Sequence, residues 1–403
     1  MKSCFMPSDI MLPANGGFEK WAVIACDQFT SDAAYWDRVE KFVGQAPSAL
    51  RLVLPEIYLE QEPAKRIASI SDNMNKYQNE QVFKTYNNAF VYVERTLLDG
   101  SIRPGIVGMI DLEQYHYDPS FKPSIGATEQ TVLERIPPRI AVRREASVEF
   151  PHVILFCNDA NSGVIEPIRQ KKSELPLLYD FMLMEEGGHI SGWLIDGENA
   201  DQLNTAICAY LEAAEGSALL VADGNHSLVT AKCWYEELKA NNPGKDLSNH
   251  PARYALVELE NILDASVVFE PIHRVLFEIN PEELLQDLKA ITKPGGTALT
   301  WVIGDRKGEI YLDVPQGELP VSVLQKFLDR WLKEHGGKID YIHDTDAVEA
   351  LAAQEHTLGL LLPVFDKSEL FAFGASGKIL PRKTFSLGHG REKRYYLEGR
   401  MIR

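Results

Sequence analysis

Apolar residues along the chain follow two rhythms, and their alternation sets out the fold. From Ser217 to Ala222 the stretch SALLVA is an unbroken apolar run, which reads as a short buried strand. From Leu228 onward, LVTAKCWYEELKANNPG turns to helix formers, sets Lys232 four residues before Glu236, and stops at Asn242, Pro243 and Gly244. Upstream, KWAVIAC (20–26) and ALRLVLPEIYL (49–59) predict strands, separated by a helix from Ala33 to Val43 and followed by a polar helix from Pro63 to Gln81. NAFVYVERTL and PGIVGMIDL predict a strand pair joined by LDGSIRPG. Between Ile136 and Asp159, adjacent Pro137 and Pro138 resist helix and the Ile, Val and Phe content predicts two extended runs. ENADQLNTAICAYLEAAEG spaces Leu203, Ile207, Tyr210 and Leu211 as a helix ending near Gly216, and ARYALVELE predicts another strand.

These elements predict a mixed α+β fold in three parts. Residues 1–279 form a core with a sheet-rich N-terminal part, and residues 280–380 form a smaller α+β unit of helix, strands, helix and strands again. Residues 381–403 are a basic segment that packs back on the core.

Composition narrows the function classes. A chain of 403 residues, 45% hydrophobic, can bury a full core, and a net charge of −17 disfavours duplex DNA and anionic membranes. The start, MKSCFMPSDIMLPANGG, has no apolar stretch long enough for a signal peptide, and no later run reaches the length of a membrane span, so a cytosolic location is expected. The five cysteines are scattered without CxxC spacing, which indicates neither a disulfide framework nor a zinc site.

The strongest chemical signal is VADGNHSLVTAK, Val221 to Lys232, where a strand passes through a polar turn into a helix. The first N–H groups of a helix are unpaired and partly positive, so they suit a phosphate or carboxylate. Gly224 lets backbone approach a ligand, Asn225 and Ser227 can cap the helix or donate hydrogen bonds, and His226 can donate a proton or contact phosphate. The same residues also suit an ordinary turn with an N-cap. Asp27, directly after a strand, is a candidate base, although an Asp there also commonly caps a turn. Arg143 and Glu145 share a face if extended, as a site pair or as a solvated ion pair.

VADGNHSLVTA resembles the Asp-Gly-His-His-Arg motif of a bacterial family, domain of unknown function number one thousand and fifteen, related to the ParB and sulfiredoxin superfamily that includes free serine kinases. WAVIACDQFTS, IGATEQTVLERIPPR, EPIHRVL and FSLGHGREKRYYLEGR resemble further blocks of one branch of that family. The resemblance implies a nucleotide-binding core and phosphate held at the helix start, with a carboxylate activating a hydroxyl. It makes His273 and Arg274 phosphate contacts, and offers Glu129, otherwise a first-turn acid, as a base. Here Asn225 replaces the first His of the motif and Ser227 the Arg, so the missing cation is expected from Arg274, Lys383, Arg391, Lys393 or Arg394. The tail then acts as an anion clamp.

The expected function is phosphoryl transfer from ATP or ADP, with magnesium, to a hydroxyl such as that of serine. Asp223 binds the metal or orients His226, His226 and Arg274 hold phosphate, and Asp27 or Glu129 serves as base. A phosphate-ester hydrolase using His226 and a non-catalytic nucleotide or metabolite sensor are the alternatives. The expected partner is a small anionic substrate, and a homodimer is compatible with the reading.

Overall fold

Long apolar runs with β-branched residues build a mixed sheet at the centre of the first of two units. The computed structural model describes residues 3–30, 32–59, 61–118, 121, 123–129, 136–376, 378–381 and 383–403. Two compact units result, the first comprising 1–267, 368–379 and 390–403, the second 268–367 and 380–389. The fold is α+β, as the alternation of rhythms implied. No helix of the described residues is long and apolar enough to cross a membrane.

In the first unit the strands run in the order Leu177–Met182, His189–Ile195, Phe83–Thr96, Ile102–Asp111, Tyr254–Asn261, Ile154–Cys157, Leu219–Asp223, Ile125–Gly126 and Tyr115–His116. Phe83–Thr96 and Ile102–Asp111 form the expected antiparallel pair, with Val91 opposite Val107. Tyr254–Asn261 runs parallel to Ile154–Cys157. The helices Ala33–Val43 and Gly197–Ala213 appear where periodicity set them. The second unit carries a five-stranded antiparallel sheet flanked by helices Pro281–Leu288, Pro320–His335 and Thr345–Ala352.

Several expectations are corrected. Ile136–Glu145 is a helix rather than an extended run, because Pro137 and Pro138 occupy its first turn, where a missing N–H costs no intrahelical bond. Ala49–Leu59 contains two short 3-10 turns, at Ala49–Arg51 and Glu56–Tyr58, with Ser48 capping the first and Pro55 preceding the second. KWAVIAC contributes only the strand Val23–Ile24, after a helical turn at Phe18–Trp21. The helix expected beyond Glu129 lies outside the described residues up to Ile136.

The last fourteen residues complete the first unit. Tyr395–Tyr396 pairs with Val23–Ile24, Arg400–Met401 pairs with Val148–Glu149, and the Trp21 indole N–H donates to the Leu397 carbonyl at 3.0 Å. Under this segment lies a layer of buried charge. Arg394 pairs with Glu258 and, at 2.7 Å, with Glu398, which also accepts from the Tyr179 hydroxyl. Arg103 Nε is 3.2 Å from Glu260 Oε1, both side chains are at most 3% exposed, and Arg103 also donates to the Glu392 carbonyl. Arg95 donates to the carbonyls of Gly187, Arg391 and Lys393. Leaving any member unpaired is expensive, so the layer fixes where the segment lies.

Two predictions follow from these elements. Burial pushes the Glu260 carboxyl up to about 7 against the pull of Arg103, with Glu258 adding to the rise. The folded value lies above the ordinary 4.5, so this stabilising contribution is complete below that pH and is lost as pH rises through about 7. Glu260→Gln should therefore flatten the wild-type loss of stability between about pH 5 and pH 8 by on the order of 1–3 kcal/mol in urea unfolding, and parallel profiles would contradict it. Gly224 precedes the helix Asn225–Asn241 at φ 77°, and an added Cβ would lie 3.0 Å from the Val153 Cα. Gly224→Ala should cost about 1–2 kcal/mol or more in the same assay.

Candidate functional site

The strand Leu219–Asp223 delivers the chain into the helix Asn225–Asn241 through one glycine, so the polar run DGNHS is a strand-to-helix junction. The helix begins at Asn225, two residues before Ser227, because Gly224 in the left-handed region makes the turn. Asp223 is engaged on both oxygens. Its Oδ1 accepts from the Gly224 N–H at 2.9 Å, and its Oδ2 is 3.1 Å from the Lys393 ammonium. The tail thus brings a buried cation to the loop, although that cation already has a carboxylate partner.

Asn225 is buried and bridges inward, donating to the Glu129 carbonyl at 3.2 Å and accepting from the Tyr115 hydroxyl at 3.4 Å. It is a tether. Glu129 is thereby brought beside the loop through its backbone. His226 is half-buried, and its carbonyl accepts from the Thr230 hydroxyl at 2.7 Å. Ser227 reaches a cavity of about 150 Å³ behind the first helical turn.

That cavity gathers residues from widely separated segments. Its polar edge includes Cys26, Glu56, Arg139, Arg143, His152 and Tyr396, and its walls are largely apolar, among them Leu54, Met74, Val142 and Leu256. Tyr396 comes from the tail, where its hydroxyl accepts from the Cys26 N–H at 2.9 Å and its ring stands edge-on to His152 at 5.2 Å. Asp27 is 28% exposed on its side chain and lies 3.8 Å from His152 Nε2. Arg139 pairs with Glu56, and Arg143 Nη1 is 2.6 Å from Glu149 Oε2. Burial works against ionised Glu149, but the guanidiniums of Arg143 and Arg400 together hold its carboxyl below the usual range. Burial pushes the Cys26 thiol up to about 12, with Asp27 adding to it, so this cysteine is a neutral wall and no nucleophile at neutral pH.

The remaining candidates are dispersed. Glu145 is exposed near the end of its helix, and neighbouring Arg144 pairs outward with Glu237 at 2.8 Å. Arg143 and Glu145 therefore do not form the pair an extended strand would give; Arg143 turns instead to Glu149. Arg394 is buried in the charge layer, and Arg391, 40% exposed on its side chain, pairs with Glu186. His273, Arg274 and Lys383 belong to the second unit and are used within it. His273 accepts from the Leu362 N–H at 3.1 Å, and burial and the Arg274 charge lower its pKa. Fully buried Arg274 donates to Gln325 at 3.1 Å and to the Lys383 carbonyl at 2.9 Å, while its guanidinium lies over the Tyr341 ring. Its charge therefore serves that unit's interior.

Magnesium does not fit Asp223 as a protein-held ligand set. Both of its oxygens are engaged, one with an ammonium, and among the described residues no three His, Cys, Asp or Glu side chains converge as metal ligands. Residues that sequence reasoning passed over are Arg139, His152, Glu56 and Tyr396. Pro151-His152, polar and rigid between two apolar runs, was the available signal for one of them.

The comparisons with known proteins come to the following. Among solved structures the chain is similar to a free serine kinase in complex with AMP, at 14% identity over 72% of this chain and 90% of that one, with a TM-score of 0.39. It is also similar to a conserved hypothetical protein from Pyrococcus furiosus, at 12% identity over 73% and 94%, TM-score 0.36. A third is SbnI with C-terminal truncation from Staphylococcus aureus, at 11% identity over 70% and 81%, TM-score 0.37. No curated protein matches. The model of the family described as "Protein of unknown function (DUF1015)" matches residues 10–371, and the chain belongs to that family.

Proposed function

We propose that the chain is a small-molecule enzyme that transfers a phosphoryl group from a nucleotide, ATP or ADP, to the hydroxyl of a small metabolite, serine being the simplest case. The observation that carries the reading is the meeting, at the start of the helix Asn225–Asn241, of the positive end of the helix dipole, Ser227 and a cavity edged by Arg139, Arg143 and His152. Arg139 and Arg143 are paired with Glu56 and Glu149 at the same cavity, but Arg143 keeps two N–H donors beyond its carboxylate, and these beside a helix start favour an anionic ligand there. The resemblance of Asp223 to Ser227 to the phosphate-holding motif of nucleotide-using ParB and sulfiredoxin relatives supports the same assignment.

In this reading the nucleotide's phosphates lie against the backbone of residues 225–227, with His226 donating to an oxygen that gains charge. Asp27, partly exposed beside His152, takes the proton of the acceptor hydroxyl. The hydroxyl oxygen then bonds to the terminal phosphorus, the bond to the bridging oxygen breaks, and the shortened nucleotide leaves with the electron pair on that oxygen. Lys393 holds Asp223, and hence the loop, in place. Magnesium, if it accompanies the nucleotide, offsets phosphate charge, and no step here is routed through it.

Thermal unfolding with AMP, ADP and ATP, with and without magnesium, tests binding, since a ligand that binds only the folded state raises its melting temperature. At least one nucleotide should raise it. Asp27→Asn should keep that rise and KM within about threefold while lowering kcat by about 10²–10⁴-fold, with phosphoryl transfer followed on a panel of hydroxyl compounds. The reading fails if no nucleotide shifts the transition, or if a bound nucleotide donates to no hydroxyl.

A further inference from the structure

We infer that the cavity behind Ser227 is a binding site for a small carboxylate with an apolar body, gripped by the guanidinium of Arg143. The inference rests on the phosphoryl-transfer reading and narrows it, because it gives the acceptor a chemical class: a hydroxy acid with an aliphatic or aromatic side chain rather than one as polar as serine.

Two observations carry it. The first is the guanidinium. Arg143 Nη1 is committed to Glu149, whereas Nε and Nη2 are both buried and have no hydrogen-bond partner among the described residues. Nε and Nη2 lie on one edge of the planar group, the edge that grips a carboxylate with two parallel N–H···O bonds. Orphaned donors of this kind are uncommon, and a ligand oxygen is the simplest way to satisfy them. Glu149 is held a second time by Arg400 at 3.1 Å, so an anion arriving at Arg143 does not strip Glu149 of its only cation. The Trp234 ring, 5.3 Å from the Arg143 guanidinium, steadies it from another side.

The second observation is the wall. Leu54, Met74, Val142, Ala231 and Leu256 line the space that Arg143 borders. A purely polar guest would lose hydration there without replacement, whereas each methylene buried against such a surface tightens binding by about fourfold. A charged fork at one edge of an apolar chamber selects a guest with a carboxylate at one end and hydrocarbon at the other.

Isothermal titration of the full chain with 2-hydroxy-4-methylpentanoate, the amide of that acid and L-serine tests the inference. The acid should bind, with the amide and serine each at least tenfold weaker. Arg143→Lys keeps a charge for Glu149 but loses the fork, and should weaken the acid by about tenfold or more. Ala231→Phe fills the chamber from the helix and should abolish binding of the acid; a retained cooperative unfolding transition shows that each variant is folded. Failure of the wild type to bind the acid, equal binding of acid and amide, or undiminished binding by folded Arg143→Lys overturns the inference. Nucleotide binding by a wild type that ignores the acid leaves the phosphoryl-transfer reading standing and sinks only this one. Binding of the acid without any nucleotide effect removes the acceptor role and the reading on which it rests.

Discussion

The structure of the first unit depends on a layer of buried charge between its central sheet and its last fourteen residues. Carboxylates on the strand Tyr254–Asn261 and guanidiniums on Phe83–Thr96 and Ile102–Asp111 lie where an apolar face would be expected, with Glu258, Glu260, Arg95 and Arg103 all nearly inaccessible. Each would be costly alone. Glu258, Arg95 and Arg103 are tolerable because the terminal segment supplies Arg394 and a series of backbone carbonyls at matching positions, while Glu260 is met by Arg103 of the neighbouring strand. Breaking one partner strands another, so this layer acts as a registration device for that segment. Apolar contacts, being non-directional, would fix its position less sharply.

The consequence reaches the site. Asp223 lies level with Glu258 through Ile154, so the charge layer runs across the sheet to the loop that opens the helix Asn225–Asn241. Lys393, adjacent to Arg394 in the chain, is thereby delivered to Asp223, and Tyr396 to Cys26 and His152. The loop and the cavity edge are thus completed by residues about 170 positions or more later in sequence. A loop and cavity edge built this way trade local simplicity for rigidity, the property that the proposed recognition of an anion requires.

Much of this was legible from sequence and some was not, for identifiable reasons. The strand Leu219–Asp223 and the helix after it were readable because periodicity, glycine and the Asn-Pro-Gly stop agree. Helix Ile136–Glu145 was misread because two prolines argue against helix everywhere except the first turn, and sequence alone did not identify the first turn. That error moved Arg143 from helix to strand and hid its partnership with Glu149. Arg274, expected as a phosphate contact, is fully buried within the second unit, and nothing local in the sequence announces that Gln325 and the Lys383 carbonyl await it. Glu56, Arg139 and Tyr396 acquire meaning only through contacts between distant segments, which no local window contains.

The central claim is that the start of the helix Asn225–Asn241 binds an anion through its backbone. Amide resonances of residues 225–228, followed by transverse-relaxation-optimised NMR while AMP or ADP is titrated into the full chain, report on it directly. The account predicts saturable downfield shifts of the His226 and Ser227 amide protons, the largest in the molecule, with a common dissociation constant. Saturable shifts centred on other segments, with these amides unmoved, would contradict it.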